Sequence, residues 1–286
     1  MEDSFIYYLK KYVSECSRDF FYRLEDVDND EAFKIQLGQE NQSSELCGKL
    51  EHECGQLNGK RVLDIGCGAG GRSVAIALKG ARVTGVDPLA DGVRASRARA
   101  AKYTDIKTDF LVGEGEKMPF KDGSFDLVTS FCVLEHAQTV DRVIFEAYRA
   151  LKKGGTFYCE LPNHLFPFEG HYKILWFPMM PKILARAYFR LMGRNPRGMD
   201  RLNYITRKNI VKNFERQGFS DIRDINIDRI RQRIDEPDLI QAPVQRVIMR
   251  FFKRAGLSRA FMFLIIRFGL YPAIHLCARK ADIHEE

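Results

Sequence analysis

The ten residues from Val62 to Gly71, Val-Leu-Asp-Ile-Gly-Cys-Gly-Ala-Gly-Gly, constrain the fold of this chain more than any other stretch. A short apolar strand runs into glycines at 66, 68 and 70, and a helical pattern from Ser73 to Leu78 follows at once. Glycines let a backbone approach a ligand closely. A new helix aims unpaired N–H groups and a partial positive charge at the same place. The spacing therefore implies a strand, a tight turn and a helix that receive a nucleotide-like molecule carrying an anionic group. Gly66, Gly68 and Gly71 also satisfy G-x-G-x-x-G, so the loop alone does not separate one nucleotide cofactor from another.

The segments that follow narrow the choice. A second short strand, Arg82 to Pro88, ends in Asp87, where a carboxylate can accept from both hydroxyls of a ribose. A third, from about Ile106 to Val112, leads into Gly113-Glu-Gly-Glu-Lys-Met-Pro-Phe120. Then come Gly123-Ser-Phe-Asp-Leu-Val-Thr-Ser130 and Val133-Leu-Glu-His136. A helix ending near Leu151-Lys-Lys-Gly-Gly-Thr156 runs into a further strand that closes at Leu161-Pro-Asn163. Strands alternating with helices in this way imply a mainly parallel sheet with right-handed crossovers.

Taken in order, these segments resemble the class I S-adenosylmethionine-dependent methyltransferases, in the branch that acts on small molecules, lipids and glycans. The resemblance runs from about Gly59 to Asn163 and is thin elsewhere. It implies an α/β, Rossmann-like, seven-stranded mainly parallel sheet with an antiparallel last strand, plus helical cap insertions. It also implies that Asp64, Gly66, Gly68 and Gly70 face the amino-acid end and sulfur of the cofactor. Asp87 would hold the ribose diol and Leu89 the adenine face. Glu114 stands where the family usually has Asp, accepting from the adenine amino group, with the Gly115 N–H near the ring. Glutamate there lengthens the arm. Asp87 suits NAD equally well. The runs Glu116 to Phe120 and Ser124 to Asp126, however, are not usual in dinucleotide dehydrogenases, and no paired catalytic lysine and tyrosine is evident. An NAD-type dehydrogenase and an inactive cofactor-fold adaptor at a membrane or protein surface remain the alternatives.

Methyl transfer is an in-line displacement at carbon, governed by positioning and desolvation. A hydroxyl acceptor must also lose a proton to a nearby His, Asp or Glu. His136, just past the fourth strand at the edge where such sheets bind ligands, is the first candidate. A structural histidine beside the cofactor loop is an equal reading. His164, Glu169 and His171 form a second group, in which Glu169 and His171 could act as a base pair. No third ligand accompanies them, so no metal is expected. The Asn/Asp-Pro-Pro-aromatic motif of nucleic-acid amino methyltransferases is absent, which counts against a nucleic-acid acceptor.

Composition adds two constraints. Seven cysteines without a C-x-x-C pair, and no long apolar run near Met1, imply reduced thiols and a cytoplasmic protein. The net charge of +7 is uneven: residues 1–170 carry 22 Lys/Arg against 27 Asp/Glu, whereas 171–286 carry 23 against 11. Between Asp238 and Asp282 there is no acidic residue.

The chain accordingly divides into helices over the cofactor site (1–58), a cofactor-binding core (59–163), an acceptor cap (164–205), a continuation of the core (206–234), a basic helical insertion (235–271) and a last strand and tail (272–286). The first region shows helical patterns over Phe5–Leu24 and Ser44–Leu57. In the continued core, Thr206 opens a helix to Gln217 and a strand spans about Asp221 to Ile230. Pro181–Met192 and Val244–Ala255 read as amphipathic helices with basic polar faces, followed by the apolar run Ala260 to Ile266. Either the apolar stripes pack as an acceptor lid, or they form a peripheral surface for an anionic membrane. The expected activity is O-methylation of a sugar, lipid or lipid-linked glycan at such a surface.

Overall fold

The computed structural model describes residues 2–20, 29–169, 174–175, 177–236 and 243–281. Three helices open the chain: α1 (Glu2–Phe20), α2 (Asn29–Gln42) and α3 (Ser44–Cys54). The core follows as β1 (Arg61–Ile65), α4 (Gly71–Leu78), β2 (Arg82–Asp87), α5 (Ala90–Ala100), β3 (Lys107–Val112), β4 (Phe125–Phe131), α6 (Val140–Ala150) and β5 (Leu151–Pro162). The first insertion holds a two-strand ribbon, β6 (Phe168–Glu169) with β7 (Ile174–Leu175), then α7 (Lys182–Leu191) and α8 (Arg197–Arg201). The chain returns through α9 (Arg207–Arg216) and β8 (Phe219–Asp224). It leaves again as α10 (Ile225–Asp235), α11 (Pro243–Arg254) and α12 (Ser258–Phe268), and closes with β9 (Ala273–Lys280).

The seven-stranded sheet has the order β3-β2-β1-β4-β5-β9-β8. All pairings from β3 to β5 are parallel, and β9 runs antiparallel to both β5 and β8. Strands β1, β2 and β4 are covered on both faces, so consecutive residues such as Val62 with Leu63 and Leu127 with Val128 are buried together. Alternate residues serve opposite layers. Leu63, Val128 and Phe157 pack with Ile144 and Phe214 on one face. Val62, Leu127 and Tyr158 pack with Ile76 and Leu50 on the other.

Thr206 is the N-cap of α9 through a reciprocal capping box with Asn209, as its position before an amphipathic run suggests. The segment after β8 departs from expectation. Ile225 to Ile230 is the start of helix α10, not a continuing strand. The alternation of Ile225 and Ile227 with polar residues resembles a strand. The Asp224 carboxylate, however, accepts from the Asn226 N–H and starts a helix there. Upstream, α1 accounts for the first expected helix as far as Phe20, and residues 21–28 lie outside the described set. Helix α2 had no counterpart in the sequence reading.

Candidate active site

The carboxyl ends of β1, β2 and β4 lie side by side, with Ile65 opposite Val86 on one flank and Ser130 on the other. Gly66, Gly68 and Gly70 all have positive φ, at 71°, 54° and 75°, a region side chains disfavour. All three also crowd neighbours to within 3.0 Å of where a Cβ would sit, Gly70 against Ser96. At Gly66 it would lie 2.2 Å from Cγ2 of Val133, and at Gly68 2.5 Å from the Tyr12 hydroxyl. Gly70 is the left-handed N-cap from which α4 starts, so the helix N-terminus points along the loop.

Asp87 is the organising side chain. One carboxylate oxygen accepts from the Gly68 N–H and the other from the Leu89 N–H, both at 2.9 Å. Its own carbonyl accepts from the Gly113 N–H, which draws the Gly113–Gly115 turn alongside. Burial pushes this carboxyl up to about 6, against the pull of those two N–H donors. Asp64 is buried at the end of β1 and accepts from the hydroxyls of Ser73 and Thr129, the latter at 3.0 Å. Burial raises its pKa as well, and the two hydroxyls act in the opposite direction. Asp64 therefore ties the loop's helix to β4.

Leu89 is half-buried at the start of α5, and Gly115 backs onto Ile65 and Val143. Glu114 is exposed beyond β3. Its neighbour Glu116 accepts from the Gln138 and Thr139 N–H groups, so this loop is bound to the turn after β4. That turn is a 3-10 helix, Leu134–His136. The His136 side chain is 23% exposed, with Nε2 4.0 Å from the buried Glu135 carboxylate.

The first insertion reaches this turn through Asn203. Its backbone N–H donates to the Glu135 carbonyl at 2.7 Å, and its amide donates to the Ala137 carbonyl at 2.7 Å. Next to it, Tyr204 stacks obliquely on the His164 ring at 5.5 Å. Its hydroxyl is pushed up to about 12, first by burial and then by the nearby Glu169 carboxylate. Glu169 is buried on β6. His171 lies outside the described residues. His164 braces the cap, its Nδ1 accepting from the Ile205 N–H at 2.9 Å. The structure thus joins Asp64, the glycines, Asp87, Leu89 and Gly115 in one rim, with His136 beside it and Glu169 further into the cap.

Two contributors had no sequence signal. Tyr12 of α1 lies against Gly68 and Gly92, covering the loop. Arg99 of α5 is buried. Its Nε donates to the Ala69 carbonyl at 2.9 Å and its guanidinium to the Gln36 carbonyl of α2 at 2.6 Å. A buried arginine inside Ala90–Ala100 is visible in the sequence only as one of three arginines there, and its partners are more than 25 residues distant.

The residues present fit S-adenosylmethionine: a bare backbone cradle, a helix N-terminus, and a buried carboxylate at the adjacent strand end suited to a ribose diol. Comparisons agree. Residues 63–159 match the family model described as a methyltransferase domain. The ubiquinone biosynthesis O-methyltransferase of Bordetella bronchiseptica is 30% identical over 173 residues, covering 55% of this chain and 71% of that protein. A sterol 24-C-methyltransferase of Gibberella zeae is 36% identical over 110 residues, covering 38% of this chain and 29% of the relative. Phosphoethanolamine N-methyltransferase 2 of Haemonchus contortus superposes with a TM-score of 0.55 at 20% identity, over 85% of this chain and 53% of that one. The chain belongs to the S-adenosylmethionine-dependent methyltransferases. It spans between 29% and 71% of the length of such curated relatives. Family membership leaves the dehydrogenase reading without support.

Proposed function

We propose that this chain transfers a methyl group from S-adenosylmethionine to a hydroxyl of an amphiphilic acceptor, a sugar, lipid or lipid-linked glycan met near a membrane surface. The carrying observation is the junction of the cofactor rim with the cap, where Asn203 pins the turn bearing His136 beside the Asp87–Gly68 clasp. When bound, S-adenosylmethionine supplies an electrophilic methyl. The chain's own residues do the rest. Asp87 and Leu89 fix the nucleoside end, and the cap orients the acceptor and excludes water. His136 receives the hydroxyl proton as the oxygen forms its bond to carbon, leaving a methyl ether and S-adenosylhomocysteine. Glu169, buried beside Tyr204 in the cap, orients the acceptor in this reading. Relatives named for ubiquinone biosynthesis and for a sterol favour an acceptor with apolar character.

The test is methyl transfer from labelled cofactor into lipid and glycan extracts. His136→Ala should lose about 10²–10⁴ in rate while retaining S-adenosylhomocysteine affinity. Full activity in that variant removes His136 as the base. Tight cofactor binding without transfer to any extract would favour the adaptor instead.

A further inference from the structure

The helices of the two insertions keep part of their apolar surface away from the core. In α11, Met249 and Phe252 pack inward, Phe252 stacking on Phe261 of α12 at 4.0 Å, whereas Val247 and Phe251 are 65% and 63% exposed. In α12, Ile265 is buried while Phe263 and Phe268 face out. In α7, Ala185 and Phe189 are buried while Ile183 and Leu191 are 73% and 84% exposed. These helices are amphipathic, but each has a second apolar strip on its solvent side.

Cations stand within those strips. Val247, Arg250, Phe251 and Arg254 follow i, i+3, i+4, i+7 spacing, which places them on one face. Phe263 and Arg267 are four apart on α12, and Ile183 and Arg190 are seven apart on α7. Exposed aliphatic and aromatic side chains interleaved with arginines, and with no acidic residue from 239 to 281, complement an anionic bilayer. Among the described residues no helix is long and apolar enough to cross a membrane, so the contact is at the surface.

The two insertions share a root. Pro162 at the end of β5 pairs with Ala273 at the start of β9, and the Asn163 amide donates to the carbonyls of Gly269 and Tyr271. Both therefore leave the sheet at the carboxyl edge, where the Asp87 clasp opens. We infer that the outward faces of α11 and α12, extended by α7, form a docking surface for anionic lipid that turns this edge toward the bilayer. The inference rests on the reading of the insertions as an acceptor cap.

Flotation with phosphatidylcholine vesicles, with and without phosphatidylglycerol, tests it. The chain should float with the anionic vesicles and be released by salt. Arg254→Gln with Arg267→Gln should weaken partitioning about 25-fold, at about fivefold per arginine. Phe251→Ser with Phe263→Ser should weaken it at least about tenfold per residue. Both variants should bind S-adenosylhomocysteine as wild type does. They should also methylate detergent-dispersed lipid extract normally while losing transfer to the same extract in vesicles. Failure of wild type to float, equal partition into neutral vesicles, or variants that float unchanged would overturn the docking surface. So would a dimer in solution abolished by the phenylalanine changes. Absence of transfer in either presentation, with flotation intact, would instead overturn the transferase reading alone.

Discussion

If Asp87 holds the ribose diol as proposed, cofactor affinity depends on pH. Its carboxyl rises from 3.8 to about 6 because burial penalises the charge more than the Gly68 and Leu89 N–H groups favour it. A ribose diol donates to a carboxylate, so binding requires the ionised form. One pH unit below 6 the ionised fraction is about one tenth, and the Kd for S-adenosylhomocysteine should rise about tenfold between roughly pH 8 and pH 5. Stability runs the other way. A folded pKa above the unfolded one gives stability that is full below about 3.8 and lost as pH rises through about 6. The lift of about 2 pH units corresponds to ~3 kcal/mol at most. Asp87→Asn keeps one acceptor oxygen but turns an amide N–H₂ toward a backbone N–H. It should cost about 3 kcal/mol of binding, roughly 100-fold near pH 8, and flatten the pH profile. Titration calorimetry at several pH values measures both effects. A wild-type Kd constant across that range, or an Asn variant within about threefold of wild type near pH 8, refutes the assignment of Asp87 to the diol.

Three further expectations concern the walls of the site. Gly68→Ala forces a side chain to φ 54° and 2.5 Å from the Tyr12 hydroxyl. It should destabilise the fold by about 1–3 kcal/mol, and Tyr12→Ala in the same chain should recover part of that in thermal unfolding. Arg99→Met strips donors from the Ala69 and Gln36 carbonyls. A loss of about 2–4 kcal/mol in chemical denaturation, with earlier proteolysis in α1–α2, is expected. Asn203→Ala frees the turn bearing His136 and should lower methyl transfer well beyond its ~1–3 kcal/mol effect on stability. An unchanged rate would detach the cap from catalysis.

The core was legible because its signals are local. Val62–Gly71, Asp87 and the alternation of strand and helix through Asn163 each declare themselves within a few residues, and the structure carries all of them. The last strand, expected within 272–286, follows from family topology alone, and β9 fills that place. Ile225 to Ile230 was misread because its isoleucines alternate like a strand. The deciding feature is Asp224, which also accepts from the His275 N–H and the Tyr271 hydroxyl. Tyr12, Arg99 and Asn203 could not be found by motif. Their partners are distant in sequence, and only tertiary packing brings them together. The site likewise joins Asp64, Asp87 and His136 from three separate strand ends, whereas His171 falls outside the described residues.

The anchoring of Asn163 to Gly269 and Tyr271 has an architectural consequence. Two excursions far apart in the chain are knotted at one point beyond the sheet, downstream of everything that grips the methyl donor. On the proposed reading of these excursions as an acceptor cap, alterations to their length or surface redirect which cargo is modified without disturbing the donor's seat. One chassis can carry interchangeable front ends, with this asparagine as the coupling.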